Sequence, residues 1–328
     1  MALLWLRRSF YVFVGLLFVY AVAGMFFTGP VVVRAPSLDL EVEPSPVRLR
    51  AAVEALCTEF APRDWRHTRQ LDAAASWIAG HLAASGLEVE LQEYRLDAGT
   101  FRNVIGVRRG EDPAAAAIVM GAHYDAASGS PGADDNASGV AVLLELARTL
   151  PAVPHERTHY FVAFATEEPP FFGTDAMGSY LFARKLEDDG VQVRVMVALD
   201  LVGFYSDELR SQRFPSPVFR LFYPWRGDFA LVVGDARSGE AIARVKRGLR
   251  AGGRLPIQSF RAPARSGLVQ LSDHFSFRRL GLPAVQVTDT AFMRYPYWHR
   301  PEDTPEKLDY ERMADLVRSL HGVLWEGR

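Results

Sequence analysis

Apolar and polar positions alternate along this chain in two rhythms, and the change from one to the other marks its elements. Leu87, Val89 and Leu91 interleave with Glu88, Glu90 and Gln92, which is the period of two of a half-buried strand over 87–96. A second strand follows at 101–107. Continuous apolar runs at 117–120, 159–166, 193–199, 229–233 and 283–287 read as buried strands. Between them the spacing becomes helical. Leu71, Ala74, Ala75, Ile78 and Leu82 share one face of a helix over 66–85, which Gly86 stops. Further helices are predicted at 49–60, 140–150, 178–186, 238–249 and 310–324. Strands alternating with helices define the α/β class. The expected architecture is a three-layer α/β/α sandwich on a mixed, mostly parallel sheet, with 87–96 and 101–107 as an antiparallel edge pair.

Two regions depart from this pattern. Residues 205–228 fit neither period and hold Phe214-Pro215-Ser216-Pro217 and Phe222-Tyr223-Pro224-Trp225. They read as a long loop that either borders a site or packs down on its own aromatics. Residues 1–36 form a separate unit, in which Arg7 and Arg8 precede an apolar run from Phe10 to Phe27. A run of about eighteen apolar residues can span a bilayer. The flanking arginines predict a cytoplasmic N-terminus and an exported body. Ala21-Val22-Ala23 also fits a signal-cleavage site, so a removed export signal is the alternative; Met25-Phe26-Phe27 beyond it favours a retained anchor. Residues 37–46 read as a linker and 47–328 as one domain.

Composition narrows the function classes. Of 328 residues, 49% are apolar, enough for a large core, and the net charge of −2 gives no basic field for nucleic acid. The single cysteine, Cys57, excludes an intramolecular disulfide and any cysteine-built metal site. It lies in a helical run with Val53 and Leu56 and reads as a buried thiol. On helix 238–249, Arg244, Lys246 and Arg247 read as a solvated face.

The candidate chemistry sits where strands end. His123 and Asp125 follow the apolar run 117–120, and they share a side if the strand continues. An imidazole there can hold a metal while the carboxylate accepts its other N–H. Asp134 and Asp135 follow, just before the helix at 140. Glu167-Glu168 ends strand 159–166, Asp200 ends strand 193–199, and His299 lies in Trp298-His299-Arg300-Pro301-Glu302-Asp303-Thr304. Singly, each has an ordinary explanation as a turn residue, helix cap or surface histidine. The Glu pair is more telling, because adjacent buried carboxylates repel unless a cation holds them. Imidazole and carboxylate are ligands that zinc accepts. In open α/β sheets ligands bind at the carboxyl ends of the strands. Spacing alone does not choose between Asp134 and Asp135.

Taken in order, His-x-Asp, Gly-Ala-Asp-Asp-Asn-Ala-Ser-Gly, Glu-Glu, Leu-Asp and a late His before Asp-Thr resemble the M28 family of zinc aminopeptidases, from about residue 47 onward. The resemblance implies the zinc-dependent exopeptidase fold and two Zn2+ per chain. It gives one zinc the ligands His123, Asp135 and Asp200, and the other Asp135, Glu168 and His299. It also implies Glu167 as general base, Asp125 as the partner of His123, a cis peptide bond after Asp135, and Asp134 turned away into the loop. Ser272-Asp273-His274-Phe275 resembles a recurring family segment whose His is not a ligand and which starts a helix. One position departs: Val269 stands where some members place a Tyr that holds the developing oxyanion, leaving Arg265, Tyr295 and Tyr297 as candidates for that role. The implied activity is removal of N-terminal residues from peptide substrates, outside the cytoplasm and on a membrane-anchored chain. The alternatives are a single-zinc glutaminyl cyclase, which shares the fold, and a non-catalytic ectodomain.

Overall fold

The computed structural model describes residues 30–325 except 36 and 152, together with positions 7, 11, 12 and 15. The apolar run from Phe10 to Phe27 therefore lies almost wholly outside the described residues. Among those described, no helix is long and apolar enough to cross a membrane.

The chain forms α1 (Pro46–Thr58), α2 (Thr68–Ala84), β1 (Glu88–Leu96), β2 (Gly99–Arg108), β3 (Ala117–His123), α3 (Gly139–Arg148), β4 (His159–Phe164), α4 (Gly178–Asp188), β5 (Val193–Leu199), β6 (Ala230–Asp235), α5 (Gly239–Gly252), β7 (Ile257–Ala262), α6 (His274–Arg279), β8 (Ala284–Thr288) and α7 (Tyr310–Leu324). The eight strands form one sheet in the order β1-β2-β4-β3-β5-β8-β6-β7. β1 and β2 are the expected antiparallel edge pair. β4, β3, β5 and β8 run parallel to one another in the middle.

Side-chain alternation along the strands builds two cores. Ile118, Met120 and Ala122 of β3 face α1, α2, α3, α5 and α7, while Val119 faces α4 and α6. The result is the three-layer sandwich. β3 is buried along its whole length, which is why it reads as a continuous apolar run rather than an alternating one.

The structure adds elements that the pattern did not predict. β7 was missed because Gln258, Ser259 and Arg261 dilute an edge strand that buries only part of its surface. Residues 205–228 are largely irregular, with one short turn of helix at Pro217–Leu221. Lys246 departs from the solvated-face expectation: it is buried, and its ammonium donates to the Val31 carbonyl and to Ser259 Oγ. The reason is that the segment after residue 30, read as a linker from 37 onward, lies along the domain and covers that face of α5. Arg250 donates to the Val33 carbonyl, Leu38 N–H to the Ala251 carbonyl, and Val33 and Val42 are buried.

Candidate metal centre

Four neighbouring parallel strands, β4, β3, β5 and β8, bring their carboxyl ends together, and the acids and histidines gather there. Pairing of β3 with β4 persists one residue past His123, since Tyr124 N–H donates to the Phe164 carbonyl at 2.9 Å. Asp125 then reaches under the β4 loop. Its two oxygens accept the backbone N–H groups of Glu167 (3.2 Å) and Glu168 (3.0 Å). His123 Nδ1 lies 3.2 Å from the Asp125 backbone carbonyl and 3.5 Å from its carboxylate, so one residue orients both the imidazole and the glutamate pair.

The turn Ala133–Ser138 places the two aspartates. Gly132 enters it at φ +64°, in the left-handed region that favours glycine. Asn136 Nδ2 donates to the Leu199 carbonyl at 2.9 Å, and Asn136 Oδ1 accepts Gly139 N–H at 3.0 Å. At Gly139 a Cβ would lie 2.4 Å from the same Leu199 oxygen, so only glycine lets α3 begin this close to β5. The Asp135–Asn136 peptide bond is cis. Asp134 turns away and accepts Gly203 N–H at 2.8 Å.

Asp135 is the centre of the cluster. Its Oδ1 lies 3.2 Å from His123 Nε2 and its Oδ2 lies 3.1 Å from His299 Nε2. Asp200 Oδ1 and Glu167 Oε2 approach His123 Nε2 at 3.5 and 3.9 Å, and Glu168 Oε2 approaches His299 Nε2 at 3.3 Å. All are buried except His299, which is half-buried and stacks on Trp298.

The electrostatics of this cluster are unbalanced. Burial raises Glu168 to about 7, with the Asp135 charge adding to the effect. Glu167 is pushed well above the carboxylate range by burial and by Glu168, Asp273 and Asp200, against the pull of His123. Burial also raises Asp200. Burial alone would lower both imidazoles, but the carboxylates outweigh it and hold His123 well above its usual value and His299 at about 10. Asp135, facing both rings, is lowered despite its burial.

The donor set fits a cation. His123 Nε2, Glu168 Oε1 and Asp200 Oδ1 are buried and lack any hydrogen-bond partner. Such groups normally find one, and three of them gathered in one cluster leave a place for an ion. Ligand atoms from His123, Glu167 and Asp200, and from His123, Asp135 and Glu168, lie within 4.8 Å of one another. With only nitrogen and oxygen donors, the set suits zinc.

A cleft of about 280 Å³ opens beside the cluster. The acids and His299 lie at one end, and Phe219, Tyr223, Phe229 and Phe260 form much of the wall. The irregular stretch 205–228 is thus both a wall of the site and a loop packed by its own aromatics, with Phe219 and Tyr223 in ring contact. None of the three oxyanion candidates is among the residues lining it. Arg265 is exposed on a turn after β7. Tyr295 is buried and donates its hydroxyl to Asp303 Oδ1 at 2.7 Å. Tyr297 packs edge-on to Tyr295 beneath Lys307. Val269 is buried, and its carbonyl accepts His274 Nε2 at 2.9 Å, which fixes the start of α6.

Sequence reasoning missed three contributors. Asp303 accepts the N–H groups of both Asp134 and Asp135 and so positions the turn. Arg63 is buried and ties the loops together by donating to the carbonyls of Leu56, Tyr124 and Gly132. Asp289 accepts Phe204 and Ala291 N–H. For Asp289 a signal existed, an acid just past an apolar strand, the same signal that marked Asp200.

This sandwich, with acids and imidazoles gathered at the carboxyl ends of its central strands, has the fold and donor set of a metal-dependent enzyme. The chain belongs to peptidase family M28, whose model matches residues 103–323, and is accordingly a zinc metallopeptidase. It is 35% identical to the uncharacterized protein YfbL of Escherichia coli K12, over 98% of this chain and all of that one. It is 29% identical to the aminopeptidase YwaD of Bacillus subtilis, over 66% of this chain and 43% of YwaD. The chain spans about half the length of the relatives named aminopeptidases. Solved structures sharing the fold include aminopeptidases and glutaminyl cyclases. The cyclase of Bacteroides thetaiotaomicron is 21% identical with a TM-score of 0.66, covering 88% of this chain and all of that one.

Proposed function

We propose that this chain is a two-zinc aminopeptidase, anchored in a membrane by its N-terminal apolar run, that removes N-terminal residues from peptides outside the cytoplasm. The observation that carries the two-metal reading is Asp135, whose two oxygens each face a different imidazole. A carboxylate so placed can serve two cations at once. His123 and Asp200 would hold one ion with it, and Glu168 and His299 the other. Bound zinc supplies Lewis acidity, polarising the scissile carbonyl and making water acidic enough to attack.

The chain's own groups do the rest. Glu167 Oε2 accepts the proton of the attacking water and delivers it to the leaving amine nitrogen. Asp125 keeps Glu167 in place through the backbone N–H and keeps His123 Nδ1 occupied, leaving Nε2 for the ion. The aromatic cleft takes the side chain of the terminal residue and excludes water from the bond to be cut. The relatives named aminopeptidases support the exopeptidase assignment.

A single-zinc cyclase is the second reading, favoured by the cyclases that share the fold. Metal analysis with product analysis separates the two. Two zinc ions per chain, and a chelator-sensitive release of free amino acids from aminoacyl substrates, are expected. One zinc with pyroglutamate formed from glutaminyl peptides would replace the proposal.

A further inference from the structure

The loop 205–228 has a built inside and an unusual outside. Inside, Phe219 packs on Phe260 of β7 with ring centroids 5.7 Å apart, and the Tyr223 hydroxyl donates to the Ser259 carbonyl at 2.9 Å. Outside, Leu209, Val218, Leu221, Phe222 and Trp225 are exposed, Leu221 by 76%. Exposed apolar residues are ordinary when scattered, and a cluster of them marks a contact surface. The loop also carries Arg210, Arg213, Arg220 and Arg226, with its acids, Asp207, Glu208 and Asp228, confined to its two ends.

The same β7 residue receives the start of the described chain. Val31 N–H donates to Ser259 Oγ at 2.8 Å, and the Val31 carbonyl accepts the buried Lys246 ammonium at 2.8 Å. Only three residues separate Val31 from Phe27, the end of the apolar run, and the four extended steps between them reach at most about 14 Å. The end of that run is therefore tethered beside the strand on which the apolar lip is built.

We propose that the lip 209–225 lies in the headgroup layer of the bilayer that the run Phe10–Phe27 enters, so that the catalytic cleft opens at the membrane surface. This rests on the anchor reading given above. Aromatic side chains settle at that depth, and arginines beside them meet anionic headgroups. A second copy of the chain is a poorer occupant, because in a two-fold contact the lip meets itself and its four arginines face their own copies, with acids only at the ends of the loop.

The test uses the full chain, reconstituted in phosphatidylcholine–phosphatidylglycerol vesicles whose acyl chains are brominated near the headgroup. Trp5 is first replaced by Phe, so that Trp225 is the tryptophan expected at the interface. Tryptophan emission should be quenched, and Trp225→Phe should remove roughly two thirds or more of that quenching, given the preference of tryptophan for this layer. Alkaline carbonate extraction runs in parallel. A chain that washes off overturns the anchor reading and the lip with it. A chain that stays bound while Trp225 is unquenched overturns the lip alone, and Trp225 shielded in a dimer would assign the surface to a second copy.

Discussion

Asp134 and Asp135 are neighbours in the chain yet end in two acidic clusters of opposite character. Asp135 enters a cluster with His123, Glu167, Glu168, Asp200 and His299, in which buried nitrogen and oxygen atoms are left bare. Asp134 enters a second cluster with Asp289 and Asp303, in which backbone and hydroxyl donors of the protein serve every carboxylate oxygen but Asp134 Oδ2. Gly203 N–H serves Asp134, Phe204 and Ala291 N–H serve Asp289, and the Asp134 and Asp135 N–H groups with the Tyr295 hydroxyl serve Asp303. Burial raises Asp289 and Asp303 to about 6, and burial with the Asp289 charge pushes Asp134 well above the usual carboxylate range. The nearby Arg294 charge pulls Asp289 the other way, toward its ionised form. The lesson is that burial and acidity do not distinguish a metal site from a structural one. The distinction is whether the carboxylates are already supplied with donors, because an unsupplied one is costly to bury.

The contrast is broken most severely at the open cluster. Glu167→Gln keeps size and polarity but cannot take a proton, so kcat should fall by about 10²–10⁴-fold with metal content intact. Atomic absorption on the variant checks the second half, and zinc loss there with full loading of Glu168→Gln would reverse the assignment of the pair. Asp135→Asn comes next. An amide offers one acceptor oxygen instead of two, so it cannot serve both imidazole-side positions. Removing a partner that merely orients a ligand costs about 10–100-fold, so replacing a ligand should cost at least about 100-fold in activity. Zinc per chain should drop to one or fewer.

A gentler test removes the metal and follows thermal stability between pH 6.5 and 8. In the metal-free fold His299 is raised to about 10 and His123 is raised as well. Both rings keep their protons across this window, while an unfolded imidazole loses its own near 6.5. The folded state then binds more protons, so stability falls as pH rises. Glu168 and Asp273, each raised to about 7, act in the same direction at the lower end. His159, His274 and His321 are lowered by burial to about 3, 4 and 4; they act the other way at the lower end of the window, and their effect fades as the unfolded imidazoles lose their protons above 6.5. The chelated protein should lose Tm steadily from pH 6.5 to 8. The zinc-loaded protein, whose imidazoles have given up those protons, should not. Parallel Tm curves for the two forms would show that no imidazole contacts the metal.

How much of this was legible from the chain follows the same division. The strands and helices were readable because burial leaves a period, and the open cluster was readable because each ligand follows an apolar strand or sits in a recognisable motif. The closed cluster was not read, since Asp303 acts on backbone N–H groups some 170 residues earlier in the chain, and no local pattern announces that. Lys246 was misread because a helical face shows which side is polar, not what lies over it. Here the segment from Val31 onward does. Arg63, whose three carbonyl partners lie on three separate segments, leaves no trace in spacing at all.

The smallest expected effect is the sharpest test of the comparison. If Asp134 holds a proton, its carboxyl group is already neutral, with one oxygen accepting Gly203 N–H and the other donating toward Asp289. Asparagine reproduces that arrangement, its carbonyl toward Gly203 and its amide toward Asp289. Asp134→Asn should therefore shift unfolding free energy by less than about 1 kcal/mol, well inside the ordinary range for substitutions, although the site is wholly buried. Zinc content and kcat/KM should stay at the parent values. The same change one residue later, at Asp135, should cost the metal. Should Asp134→Asn lose zinc while Asp135→Asn stays loaded, the two aspartates have been placed in the wrong clusters. Should Asp134→Asn keep its metal but lose several kcal/mol, the residue is a buried anion rather than a proton-sharing acid, and the closed cluster must draw its balancing charge from Arg294 instead.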